Sequence, residues 1–207
     1  MPVWEIIGPV MVGPSSSHTA GAAHIGRIVR MCWGGEIKKA ALYMRGSFAS
    51  TGAGHGTDKA LVAGLMGMAQ DDPGIRRAFE LAREAGMEFE FHVEEVAGAH
   101  PNSVRVVVEG DGRTMEAVGY SIGGGAVLLH KLDGFQVDIS CALPAVIIMN
   151  KDVQGVVSAV TSYLSAHGVN IATMVIELDP AGAGVDTEVM RNMHPGIVRV
   201  IKIEGED

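Results

Sequence analysis

Glycine placement constrains this chain more than any other feature. The sequence carries 28 glycines, and they gather in turns: Gly46, Gly52, Gly54 and Gly56 within one stretch, and Gly123, Gly124 and Gly125 in a row. Glycine lets a backbone approach a ligand or another backbone closely and weakens a regular helix or strand around it. The stretch from 46 to 56 therefore reads as a loop leading into a helix, with His55 set between two glycines. A chain punctuated in this way is built from short elements joined by polar turns.

Hydrophobic periodicity supplies the elements. Ile25, Ile28, Val29 and Cys32 follow the i, i+3, i+4, i+7 spacing of a helix from about Ser17 to Cys32, with Ser15, Ser16 and Ser17 as cap residues. A strand over 36–44, a helix over 57–69 capped by Thr57 or Asp58, and a helix opened by Pro73 and stopped by Gly86 come next. Strands are predicted at 88–95, 103–109, 114–121, 126–132 and 136–140, the middle pair joined at Asp111-Gly112 and the last at Asp133-Gly134. Near Pro144 the pattern changes. Beyond it come a buried strand at 145–150, a helix at 153–167 capped near Asp152 and stopped by Gly168, a single strand at 169–178, a glycine loop at 180–184, a short helix at 187–192, a strand at 197–203 and an acidic tail.

Composition narrows the function. With 16 Lys and Arg against 24 Asp and Glu the formal charge is −8, so no basic field draws a phosphate backbone and nucleic acid is not an expected partner. No apolar run reaches the ~18–20 residues of a membrane helix, and Met1 to Glu5 lacks the basic start of a signal peptide. The expectation is a cytoplasmic protein with no membrane partner. The two cysteines, Cys32 and Cys141, are too few and too far apart for a disulfide framework or a zinc ribbon.

Two constellations could carry chemistry. Gly13 to Gly21 sets Ser15, Ser16, Ser17, His18 and Thr19 at a helix start, where N–H groups and hydroxyls favour an anion such as a carboxylate and an imidazole with a pKa near ~6.5 could move a proton. The bland reading is a serine-rich cap. The second is Gly46 to Asp58, with His55, Thr57 and Asp58. His100 to Ser103 and Ser121 to Gly125 are further polar or glycine-rich turns, whereas His24, His92, His130 and His167 sit on periodic elements and receive no role.

Taken together, GPSSSHTAGAA at 13–23, GSFASTGAGHGTDKALVAGLMG at 46–67, HPNSV at 100–104 and SIGGG at 121–125 resemble the β chain, or β domain, of the iron-sulfur-dependent bacterial L-serine dehydratases. The remainder, with Gly155, the helix to His167 and the segment Gly168 to Met174, resembles an ACT regulatory domain. The resemblance implies conversion of L-serine to pyruvate and ammonia by loss of water, with a [4Fe-4S] cluster as Lewis acid. Such a cluster needs about three or four cysteine ligands, so it implies a cluster held by a partner α chain and no metal ligand here. Carried over onto matching positions, His18 and His55 are the catalytic residues. His18, beside the cap, is favoured as base and His55 as a positioning or proton-transfer group, and the reverse order stays open. Ser15, Ser16, Ser17, Thr19, Thr57, Asp58, His100 and Asn102 are carried over as substrate-binding groups.

The family β domain also resembles the allosteric substrate-binding domain of some phosphoglycerate dehydrogenases, which gives the alternative: a regulatory serine-binding and dimerisation module without chemistry of its own. The fold expectation is α+β: a mixed-sheet, allosteric substrate-binding-like domain over 1–142, then a truncated ferredoxin-like ACT domain over 143–207 that lacks one strand and offers a homodimer contact.

Overall fold

The computed structural model describes residues 10–150, 153–173, 177–178 and 186–203. Two compact units emerge, Met1–Ser140 and Cys141–Asp207. The glycine loop predicted at 180–184, Asp152 and the acidic tail lie outside the described residues.

The first unit begins with a five-residue π turn, Ser16–Ala20, that runs directly into helix α1, Gly21–Trp33. Strand β1 (Lys39–Arg45) follows, then helices α2 (Gly46–His55) and α3 (Thr57–Leu65), a 3-10 turn at Pro73–Arg77, helix α4 (Ala78–Glu84) and strands β2 (Glu88–Val93), β3 (Asn102–Gly110), β4 (Arg113–Gly123), β5 (Ala126–Leu132) and β6 (Phe135–Ile139). The strands form one sheet in the order β2-β1-β3-β4-β5-β6. Only β1 and β2 are parallel, joined by the helical crossover, and the other pairs are antiparallel, so the sheet is mixed.

Small residues set how the layers meet. A Cβ on Gly26 would lie 2.4 Å from Leu61 O and 2.9 Å from Gly64 Cα, and one on Gly64 would lie 2.1 Å from Ala23 O. Helices α1 and α3 therefore touch backbone to backbone. They run side by side in the same direction, because Thr19 meets His55 at one end and Arg30 donates to Leu65 O at 3.1 Å at the other. Beneath α1, Ile25 packs onto Gly119 of β4, where a Cβ would lie 2.7 Å from Ile25 Cγ2. Ile25, Ile28, Leu61, Leu65, Leu129 and Leu132 are buried in the layer between.

Several expectations change. The stretch 46–56 is helix α2 rather than a loop, and only Gly56, with φ +71°, breaks the chain before α3. Two backbone N–H groups at its start, on Ser47 and Phe48, donate to Pro101 O at 2.7 and 3.3 Å, and Phe48 is fully buried. Tertiary contacts outweigh glycine's low helix propensity here. The cap of α3 is Gly56, with no side-chain hydrogen bond from Thr57 or Asp58 in that role.

In the second unit β7 (Ala145–Asn150), α5 (Val156–Ala166), β8 (Ile171–Thr173), β9 (Glu177–Leu178), α6 (Thr187–Asn192) and β10 (Ile197–Ile203) form a βαββαβ succession with sheet order β10-β7-β9-β8, every pair antiparallel. Val146, Val156, Val160, Leu164, Met190 and Ile197 make its core. The expected single strand at 169–178 is thus two strands, Ile171 facing Leu178 and Thr173 facing Glu177, and the strand thought missing is present. The cap of α5 is Gly155, three residues beyond Asp152.

The α1–α3 contact yields a stability prediction with an unusual sign. Helix propensity alone makes Gly64→Ala stabilising by about 1 kcal/mol, yet the added methyl meets backbone atoms, and overpacking of this kind costs roughly 1–3 kcal/mol. Urea unfolding should show a lowered midpoint with an unchanged m-value. A raised midpoint would mean the helices are not held at this distance.

Candidate active site

The π turn places His18. Ser15 caps it, its Oγ accepting from the His18 N–H at 3.1 Å, and the wide turn is closed by Ala20 N–H to Ser15 O at 3.3 Å and Gly21 N–H to Ser16 O. The imidazole is then held among hydroxyls: Nδ1 lies 3.1 Å from Ser17 Oγ, and Nε2 lies 3.0 Å from Ser47 Oγ and 3.2 Å from Thr51 Oγ1. Phe48 packs against the ring edge, with centroids 5.4 Å apart.

Helix α2 supplies the other side. Ser47, Thr51 and His55 follow one another at intervals of four, so all three lie along one helix face. His55 Nδ1 is 3.0 Å from Thr51 O. A carbonyl only accepts, so Nδ1 carries the proton of the neutral ring, and in that form Nε2 has the lone pair. Among the described residues nothing hydrogen-bonds that lone pair, and His55 is exposed. The two imidazoles sit 5.1 Å apart, centroid to centroid. Burial and the neighbouring His55 together hold the His18 pKa below the ordinary imidazole range, against an opposing contact with the Ser47 backbone.

The remaining sequence-predicted residues divide. Ser15 and Ser17 belong to the cage, their hydroxyls 3.3 Å apart. Thr19 is buried and donates to His55 O at 2.9 Å, tying the π turn to the end of α2. Ser16 begins the turn, half-buried, and its side chain makes no hydrogen bond among the described residues. Thr57 is fully buried with Oγ1 unpartnered, and Asp58 Oδ1 accepts the Lys59 N–H at 2.8 Å. His100 and Asn102 stand in a separate turn: His100 Nδ1 accepts the Asn102 N–H at 3.2 Å, the His100 ring stacks on Tyr120 with centroids 5.4 Å apart, and Asn102 Oδ1 is buried without a partner. The main chain of that turn supports helix α2. Pro101 O receives the start of α2, and a Cβ on Gly46, which has φ +53°, would lie 2.7 Å from it. The SIGGG segment closes on α1, where a Cβ on Gly21 would meet Ser121 Oγ at 2.1 Å.

Sequence reasoning missed Ser47 and Thr51. The signal was their four-residue spacing to His55, hidden once the glycines were read as a loop. As for metal, no three His, Cys, Asp or Glu side chains converge among the described residues. Cys32 is buried within α1 and Cys141 is buried in the other unit, so the residues of this chain do not fit the ligand set of an iron-sulfur cluster.

Comparison with known proteins gives a consistent result. A family model for the serine dehydratase beta chain matches residues 5–87. The chain is 36% identical over 216 residues to the probable L-serine dehydratase, beta chain, of Bacillus subtilis (strain 168), covering 97% of each. It is 37% identical over 173 residues to the L-serine dehydratase, beta chain, of Peptoniphilus asaccharolyticus, covering 83% of this chain and 78% of that one. Against L-serine dehydratase TdcG of Escherichia coli (strain K12) it is 30% identical over 158 residues, covering 64% of this chain but 35% of that longer protein. On near-complete coverage at this identity, the chain belongs to the family of L-serine dehydratase beta chains.

Proposed function

We propose that this chain is the β subunit of a two-chain L-serine dehydratase of the cytoplasm, converting L-serine to pyruvate and ammonia by loss of water together with a cluster-bearing α chain. One observation carries the reading: two imidazoles 5.1 Å apart on the segment shared with the relatives, one of them with a lone pair left open. Elimination of water from serine needs a base for the α proton, and His55 Nε2 is the atom free to take it. His55 is therefore the base in this reading, and His18 the positioning residue. Ser17, Ser47 and Thr51 fix the orientation of the His18 ring, while burial and the neighbouring His55 hold its pKa down. Among its described residues this chain offers no ligand set for a [4Fe-4S] cluster, so the cluster would be held by the α chain, where it would supply Lewis acidity for the leaving hydroxyl.

The second unit fits the ACT-like reading better than the truncated version expected from sequence, since its βαββαβ order and all-antiparallel sheet supply every strand of a ferredoxin-like unit. Its outer strands β8 and β10 each leave an edge, the kind of feature through which a homodimer pairs. In this reading the first unit is the allosteric substrate-binding-like domain.

Two outcomes are expected. Anaerobic co-expression with the α chain should give pyruvate from L-serine and bound iron only in the pair, while this chain alone should have neither. A pair that forms without activity would favour the regulatory serine-binding module instead. In the active pair, His55→Gln should lower kcat by about 10²–10⁴-fold. The same substitution removes the neighbour that helps depress His18, so the His18 titration should move up, toward the ordinary range, when followed by NMR of labelled histidine. Because the depressed pKa keeps His18 neutral further into acid, its NMR titration in the wild type should lie below the ordinary imidazole value. An unshifted His18 in the variant would show that the two rings are electrostatically independent.

A further inference from the structure

Beside His55 the first unit holds a cavity of about 240 Å³ whose wall includes Gly13, Gly54, His55, Gly56, Lys59 and Arg76. Its charge is one-sided. Among the described residues no carboxylate stands on the wall and neither Lys59 nor Arg76 has an ion-pair partner, whereas the adjacent Arg77 is paired with Glu80 at 2.8 Å. Asp58, next to Lys59, turns its carboxylate onto the Lys59 backbone N–H instead. In a chain of net charge −8, two unpaired cations on one small cavity form a local reversal of sign.

The surrounding backbone points the same way. Helix α3 starts at this wall with no side-chain cap, and α1 begins alongside it, so both helix N-termini lie at this end of the unit.

Gly54 adds a separate observation. It lies inside α2, its φ is not positive, and a Cβ there would have no atom within 4 Å. Neither backbone conformation nor close packing requires glycine at this position, and glycine weakens a helix. What its bare Cα does is keep a cavity wall clear of side chain.

We propose that this cavity seats the carboxylate of the amino-acid substrate, with Lys59 and Arg76 as its charge partners, Gly54 keeping the space open and His55 on the side where the α proton is taken. The inference rests on the dehydratase reading and names the part of the substrate that this chain holds. It also moves the carboxylate away from the serine cap, where the Ser15 hydroxyl and the His18 N–H already satisfy one another.

The test uses the active α–β pair and the full-length chain alone. In the pair, Lys59→Met and Arg76→Gln should each raise KM for L-serine by about 10-fold or more, with kcat within about 3-fold, as expected for lost charge-assisted contacts to a carboxylate. Arg77→Gln should leave both unchanged. Propionate should inhibit competitively and weaken in the same two variants, while uncharged propionamide should not inhibit. Gly54→Leu should keep the thermal midpoint of the wild type or raise it, yet lose propionate inhibition. On the chain alone, propionate should shift the backbone amide resonances of Gly54, Gly56 and Lys59, and Arg76→Gln should abolish the shifts. If the pair dehydrates serine normally while Lys59→Met, Arg76→Gln and Gly54→Leu leave KM and propionate inhibition as in the wild type, the carboxylate seat is overturned and the subunit reading stands. If no α chain confers turnover, the subunit reading fails by itself. The propionate titration of the chain then decides the cavity: shifts lost in Arg76→Gln retain it as a carboxylate site, and no shifts overturn it.

Discussion

The backbone contact between α1 and α3 at Gly26 and Gly64 is the constraint on which the site depends. Two helices that approach this closely have little freedom to slide, because any side chain beyond a hydrogen collides with a carbonyl or a Cα. Since the helices run in the same direction, the contact also fixes where both begin. The π turn before α1 and the last turn of α2 before α3 are thereby brought together, and the Thr19 hydrogen bond to His55 O seals that junction. The sheet adds the third anchor, with Gly119 admitting Ile25 against β4. The histidine pair is thus a product of helix packing, although neither histidine belongs to the packed surface.

The electrostatics of the pair differ from those of a histidine oriented by a carboxylate. A carboxylate stabilises imidazolium and raises its pKa. Around His18 the orienting groups are Ser17, Ser47 and Thr51, hydroxyls that fit either protonation state without adding charge. The ring is held firmly and remains hard to protonate. His55 is oriented instead by a backbone carbonyl, which places the proton of its neutral ring on Nδ1 and leaves Nε2 without a protein partner among the described residues. One ring is caged by side-chain hydroxyls and the other is oriented by main chain.

Much of this was legible in the sequence. The strand at 145–150, the helix at 187–192 and the strand at 197–203 coincide with β7, α6 and β10, because apolar runs with clear ends need no tertiary information. His18, His55, Ser15, Ser17 and Thr19 lie together in the structure. The glycine stretch misled because local propensity argues for a loop, whereas the Pro101 carbonyl and the buried Phe48 hold a helix there. With the helix unseen, the face shared by Ser47, Thr51 and His55 was invisible too. The pair β8 and β9 merged into one predicted strand because alternating apolar residues on both sides left no turn signal between them. Gly26 and Gly64 could not be read as a contact, since nothing in a single sequence marks two glycines as neighbours.

The π turn has a consequence for how this segment can vary. An ordinary α-helix advances about 100° per residue, and a π turn absorbs one extra residue without disturbing the helix that follows. Ser16 to Ala20 does this immediately before α1. Deleting one residue here would let α1 continue backwards in regular register and swing His18 by about 100° around the helix axis, out of the hydroxyl cage and away from α2. Chain length in this turn is therefore as strict a determinant of the site as the identity of the histidine itself: a substitution changes one contact, while a one-residue deletion re-aims the whole group.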